Sequence, residues 1–475
     1  MPDSVHKKIT YIGHGFLVLL LFFSLYFCNE RMLHTDNAYC SFLLLNTQEF
    51  IFSHNRYPLV LTQVLPLLAI KFNLSVQSVI AAYSVNFYLV YYGCFLLCLY
   101  AFKNIKAAII IVFGLLIACK EIFFLQTEVY HGLVFACLFY AWYNVNSSQI
   151  IGGIKKTFHL LVGAIIFVIA VTFHPLAALF LMVLIGWDIV EKKKHKEVSG
   201  YAIILTVLIG SILKAKYTPA DSYEGAFYKQ TGTFFDTLLH LPASYTLRFF
   251  LIRLIDVYAI PAIMILFGLF WLIVKMKQHL LAAYISAAIL AYLVLVAVVF
   301  KGDSDIMMER VFLVFGFIAS LVFVHVLLYA FQQQYSSKWQ SALLLFMVSV
   351  LTGGALFILK GANRYEERLA IVSKQAAALQ QQQGSKFYST NDKFPYPYSF
   401  WSNACEQLLI SAMRYPQHIK TLYIFNNTNE AASILGTNED DQVFLLVPFY
   451  LKLDNSYLNK KYFNLSTGVY APANL

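Results

Sequence analysis

Long apolar runs, each about 17–25 residues, recur along most of the chain, with short polar stretches between them. Runs of that length cross a bilayer as helices. The pattern places spans at 9–28, 76–102, 106–125, 129–144, 157–173, 175–190, 198–214, 255–275, 279–300, 311–331 and 341–359, about eleven in all. The stretch between the first two spans breaks the rhythm. After Asp36, apolar residues return at helical spacing (Phe42, Leu43, Leu45, Phe50, Ile51), which predicts a helix lying along the membrane surface. A second such helix is predicted from Tyr57 to Phe72, opened by Pro58 and interrupted by Pro66 and Lys71.

Beyond Lys360 the pattern changes. NRYEERLAIVSKQAAALQQQQ has good helix formers and no Gly or Pro, and FPYPY at 394–398 breaks the run. FWSNACEQLLISAMR alternates as an amphipathic helix, while 421–425 and 442–453 read as strands between Asn- and Gly-rich turns. The fold class expected is an all-α polytopic membrane unit over 1–360, followed by a small α/β domain over 361–475.

Composition agrees: 59% of the 475 residues are hydrophobic and 13% charged, far from a soluble balance. A membrane barrel would instead show alternating segments of ~10 residues. The net charge of +10 does not point to nucleic acid, because the lysines fall in loops that alternate onto one side. Lys7 and Lys8, Lys103 and Lys106, Lys155 and Lys156, the EKKKHKE run at 191–197, Lys275 with Lys277, and Lys338 mark that side as cytoplasmic. The other side then receives the Asp36 loop, the turns at Glu128 and His174, the loop 215–254, the turn KGDSDIMMER and the tail. No A-x-A-like site follows the first apolar run, so it is expected to remain as a span. The seven cysteines have no metal-ligand spacing with histidine and read as small buried hydrophobes.

Candidate chemistry gathers where the spans meet the non-cytoplasmic side. Asp36, beside two surface helices, can take a proton from an acceptor hydroxyl, although a carboxylate near a membrane edge is also an ordinary solvated residue. Glu128 is either a second site carboxylate or a charge reaching to water. His174 precedes Pro175 in an apolar hairpin and serves either as a turn residue or as a donor to a phosphate oxygen. Arg310, next to Glu309, either anchors a helix or presents its fork to a phosphate. Arg253 and Arg248 carry the same two readings. No cofactor is expected; a divalent metal stays open as an alternative that no acidic pair of the DxD kind beside Asp36 supports, and the chain lacks a nucleotide loop, since TGG at 352–354 has no following Lys-Ser.

The order first span, TDNAY, surface helix, NRYPLVLTQVLPLLAIKFNLS, second span resembles the opening of the GT-C membrane glycosyltransferases, such as protein mannosyltransferases and aminoarabinose transferases. FFLQTEVYHGLVFACLFYAWYN, TFHPLAALFLMVLIGW and MMERVFLVFGF resemble later family segments, so the likeness covers most of 9–360. It implies a polyprenyl-phosphate-linked sugar donor, a glycan or protein acceptor outside the cell, and a bacterial inner membrane location. It also implies Asp36 as base, with Glu128, His174, Arg253 and Arg310 holding substrate. Several family members carry a second acid beside the first; here the motif is TDN. The competing expectations are a transport-type or non-catalytic protein handling lipid-linked glycans, and a structural subunit whose tail binds a partner.

Overall fold

A computed structural model describes residues 3–52, 56–118, 123–125, 127–145, 153–219, 225, 228–229, 234–300, 310–333, 337–391, 401–435, 442–447 and 450–475. The described chain is mainly helical. Its helices are α1 Asp3–Tyr26, α2 Cys28–Met32, α3 Thr35–Thr47, α4 Val60–Lys71, α5 Val76–Leu96, α6 Ile105–Ile117, α7 Glu128–Tyr143, α8 Gly153–Phe173 and α9 Pro175–Glu191. They continue as α10 Val198–Tyr217, α11 Phe234–Leu239, α12 Tyr245–Arg253, α13 Ala259–Phe270, α14 His279–Val299, α15 Leu313–Gln332, α16 Ser337–Gln380, α17 Asn403–Arg414 and α18 Thr428–Leu435. Among the described residues, seven helices are long and apolar enough to cross a membrane: α1, α5 with its π-helical end to Ala101, α8, α10, α14, α15 and α16.

Burial sorts these helices. From Ala107 to Ile117, α6 is apolar all round and buried on every face, and 89% of the most apolar stretch of α15 is buried, so α6 and α15 form the centre. Only 11% of the corresponding stretch of α10 is buried, which puts α10 at the edge. The third span was expected to reach residue 125, but α6 ends at Ile117 and Phe123–Leu125 form a buried turn. Gly354 of α16 packs on α6 so closely that a Cβ there would lie 2.6 Å from the Leu116 carbonyl oxygen.

The end of the bundle with Glu191 is tied by a closed ionic knot. Glu191 accepts from Lys106 Nζ at 2.5 Å and Trp187 Nε1 at 2.7 Å, and meets His325 Nδ1 at 3.1 Å. His325 Nε2 lies 3.1 Å from Gln278. Beside this knot the fully buried Asp188 pairs with Lys192 at 2.7 Å. Helices α6, α9 and α15 and the turn before α14 are thereby joined.

The expected boundary at residue 361 falls inside α16, whose 44 residues run ~66 Å without interruption. The helix runs through Gly361, and the polar stretch from Asn363 to Gln380 contains neither Gly nor Pro to stop it. The residues 394–398, expected as a breaker, lie outside those described. Past α16, β1 Lys386–Thr390 pairs in parallel with β2 Thr421–Phe425 and with β5 Ala471–Pro472, giving the order β2-β1-β5. Helix α17 forms the crossover between β1 and β2. Strands β3 Val443–Val447 and β4 Tyr450–Asp454 make an antiparallel hairpin.

This α/β layer sits on α3. Asn46 Nδ2 donates to the Tyr457 carbonyl at 2.9 Å, its Oδ1 accepts from Asn459 N at 2.8 Å, and Phe42 meets Phe463 with ring centres 5.2 Å apart. Phe42, Leu44 and Leu45 are fully buried. The apolar face of α3, expected to lie on lipid, is therefore covered by the tail. Helix α4 keeps an exposed apolar face at Val64 and Leu68.

Candidate functional site

Helix α3 forms one wall of a cavity of about 1480 Å³, which Asp36, Tyr39, Cys40 and Leu43 line at positions i, i+3, i+4 and i+7. The other walls come from the starts of α7 and α9, from α8, α10 and α14, from Arg310 and Val311, and from Trp401 of the tail. Arg310 Nη2 donates to Asp36 Oδ2 at 2.9 Å across 274 residues of sequence. The carboxylate side of this pair is the open one: Asp36 is 48% exposed and Arg310 16%.

A second pair stands in the same wall. Arg56, just before Tyr57 and Pro58, reaches Glu128 Oε1 at 3.1 Å. Glu128 opens α7 behind the Thr127 cap, where the helix dipole favours negative charge. Lys214, in the last turn of α10, also lines the cavity. His174 caps α9, its Nδ1 accepting the Leu176 N–H at 3.2 Å. A nitrogen that accepts carries no proton, so a neutral His174 keeps its hydrogen on Nε2. Burial holds its pKa well below the ordinary histidine value, and Arg56, Lys214 and Arg310 push it the same way. His174 is a neutral donor among three cations. Away from this charged head the walls turn apolar, through Phe167, Val171, Val207, Leu295 and Val299.

The start of α3 is held by an unusual set of contacts. Thr35 has φ 45°, a left-handed conformation that is costly for a β-branched residue. Its N–H donates to Glu406 Oε1 at 3.0 Å. His34 Nε2 lies 3.1 Å from the Phe124 carbonyl, which only accepts, so Nδ1 accepts from the Thr35 hydroxyl at 3.0 Å. Burial, then Arg368, keeps His34 well below its usual pKa. Asn37 Nδ2 donates to the carbonyls of Phe124 and Arg31. Arg31 lies between the rings of Tyr88 and Phe123, each 4.8 Å away, and donates to the Phe123 and Ser84 carbonyls.

Comparison with protein-family models, curated proteins and solved structures finds no match. The site therefore stands on its geometry. Of the residues expected from sequence, Asp36, Glu128, His174 and Arg310 line one cavity. Arg253 does not: it pairs with Asp256 at 3.5 Å and lies over Phe249 at 5.6 Å. Arg248 is also absent from the lining, and Glu309 lies outside the described residues. Arg56, Lys214 and Arg31 escaped the sequence reading. For Lys214 a signal existed: with Lys216 it puts two lysines at the span end otherwise poor in them. Among the described residues no three His, Cys, Asp or Glu side chains stand together as metal ligands would.

Proposed function

We propose that the chain is an integral-membrane glycosyltransferase of the GT-C type, moving a sugar from a lipid-phosphate-linked donor to an acceptor hydroxyl. One observation supports this most. A carboxylate and an arginine from opposite ends of the spanning region meet in a cavity whose charged head gives way to apolar walls. Such a cavity suits an amphiphile with an anionic head. In the reaction the acceptor oxygen bonds to the anomeric carbon, the bond to the phosphate oxygen breaks, and the acceptor proton passes to Asp36. Arg310, Lys214 and the Nε2–H of His174 meet the charge that grows on the leaving phosphate. Before substrate binds, Arg310 holds Asp36; an incoming phosphate competes for that fork and releases the carboxylate to act as base. Glu128 keeps Arg56 at the cavity edge.

In this reading all eleven expected segments span the membrane, a bacterial inner membrane, with the N-terminus in the cytoplasm and the tail outside. The partners are membrane lipids, the lipid-linked donor and a glycan or protein acceptor, with no nucleic acid; no DxD pair supports a divalent metal. The test is transfer from labelled polyprenyl-phosphate sugars by the purified protein. Asp36→Asn keeps the shape and should retain donor binding while turnover falls ~10²–10⁴-fold. Arg310→Lys keeps the charge but loses the fork, and should weaken donor use more than acceptor use. Wild-type turnover in Asp36→Asn rejects the base. Donor movement between leaflets without transfer would instead favour the transport reading.

A further inference from the structure

We infer that Glu406, in the tail, is a positioning residue for Asp36. This rests on the reading of Asp36 as the working carboxylate. Glu406 is fully buried, and one oxygen, Oε1, takes three donors: Arg368 Nη2 at 2.5 Å, the Ser402 hydroxyl at 2.7 Å and the Thr35 N–H at 3.0 Å. The first two belong to the tail and its supporting helix. The third is the first N–H of α3, which has no partner within its own helix. It belongs to the left-handed residue directly before Asp36. The carboxylate thus fixes where α3 begins, and with it where Asp36 stands against Arg310.

The tail touches the same helix again one turn on. Trp401, five residues before Glu406, lines the cavity and meets Tyr39 edge-on at 6.1 Å. Asp36 is therefore bracketed by tail contacts at positions 35 and 39. A carboxylate buried only to attach the tail would be redundant. Asn46 and Asn459 already clasp the far end of α3. Buried ion pairs are expensive ways to hold surfaces together, and their best-attested use is to fix one arrangement among several.

The experiment compares two double variants of the full-length protein in nanodiscs. Arg368→Met with Glu406→Gln removes both charges but keeps an oxygen for the Thr35 N–H. Arg368→Met with Glu406→Leu removes the charges and the oxygen. Hydrogen exchange is read on peptides covering 34–40, with 457–463 as the docking control, and donor kinetics are measured alongside. The Gln pair should match wild type within about twofold in exchange and turnover. In the Leu pair, exchange at 34–40 should rise about tenfold with the control unchanged, and kcat should fall about tenfold with the donor KM unaltered. Should the control peptide also loosen, Glu406→Met in the same background supplies the apolar partner with another shape. Equal exchange at 34–40 in the Gln and apolar pairs overturns the inference. Absent transfer in wild type would reject the glycosyltransferase reading, while the exchange contrast still decides the role of Glu406.

Discussion

His34 and His174 both feel the charge of Arg310, and their own charge state sets what each can do. Both are held below the ordinary value of 6.5 by burial. Between that value and the lower folded one, the unfolded chain binds more protons than the folded chain. Stability is therefore level above 6.5 and falls as the pH drops below it, by at most ~1.4 kcal/mol per pH unit for each histidine. Thermal unfolding followed from pH 7.5 to 5 should show this decline, and His34→Gln should reduce its slope. An unchanged slope in that variant would place the acid sensitivity elsewhere. The cavity also shows how far the candidate site was legible. Asp36, Glu128, His174 and Arg310 stood out because each is a polar group where an apolar run begins or ends. Arg31 and Arg56 did not, because their partners are backbone carbonyls or a carboxylate far along the chain.

Helix positions were read well, since apolar runs of this length have few other solutions in a membrane. Helix ends were not. A run that is apolar on every side, like Ala107–Ile117, shows no change of pattern where it stops. The seam between α16 and the tail was hidden for the opposite reason: polarity changes near residue 360, but the helix continues through Gly361 into a run of good helix formers. Strand β2 was visible as TLYIF, whereas β1 was missed, because KFYST opens with a lysine that is buried and donates to the Val443 carbonyl at 2.7 Å. The contact of α16 with α6 makes a prediction at this scale. Gly354→Ala pushes a methyl against the Leu116 carbonyl and should cost about 1–3 kcal/mol, seen as a lower Tm in detergent. Gly353→Ala is the control: its Cβ meets only Ile260, at 3.9 Å, and its Tm should stay at the wild-type value.

Across the whole molecule, the loop 191–197 and the tail occupy opposite ends of the bundle: α9 runs from His174 at the cavity to Glu191 in the ionic knot, and the tail sits on α3 beside the cavity. Reporter fusions after Glu197 and after Leu475 should give opposite readouts, and the same readout from both would remove the proposed topology. The lysine pattern is the basis for expecting that orientation; nothing in it hinted that the tail would rest on α3. The joining contacts pair Thr35 with Glu406 and Asn46 with Asn459, 371 and 413 residues apart, and short patterns carry no trace of such pairs. Those separations also order events during biosynthesis. Helix α3 emerges among the first elements, Arg310 arrives only after two thirds of the chain has been made, and Asn459 comes almost last. At 5–20 residues per second the Asp36 helix waits on the order of 20–80 s for the partners that define it. The cavity thus gains its last wall, Trp401, late in synthesis, although Asp36 is among the first residues to be made.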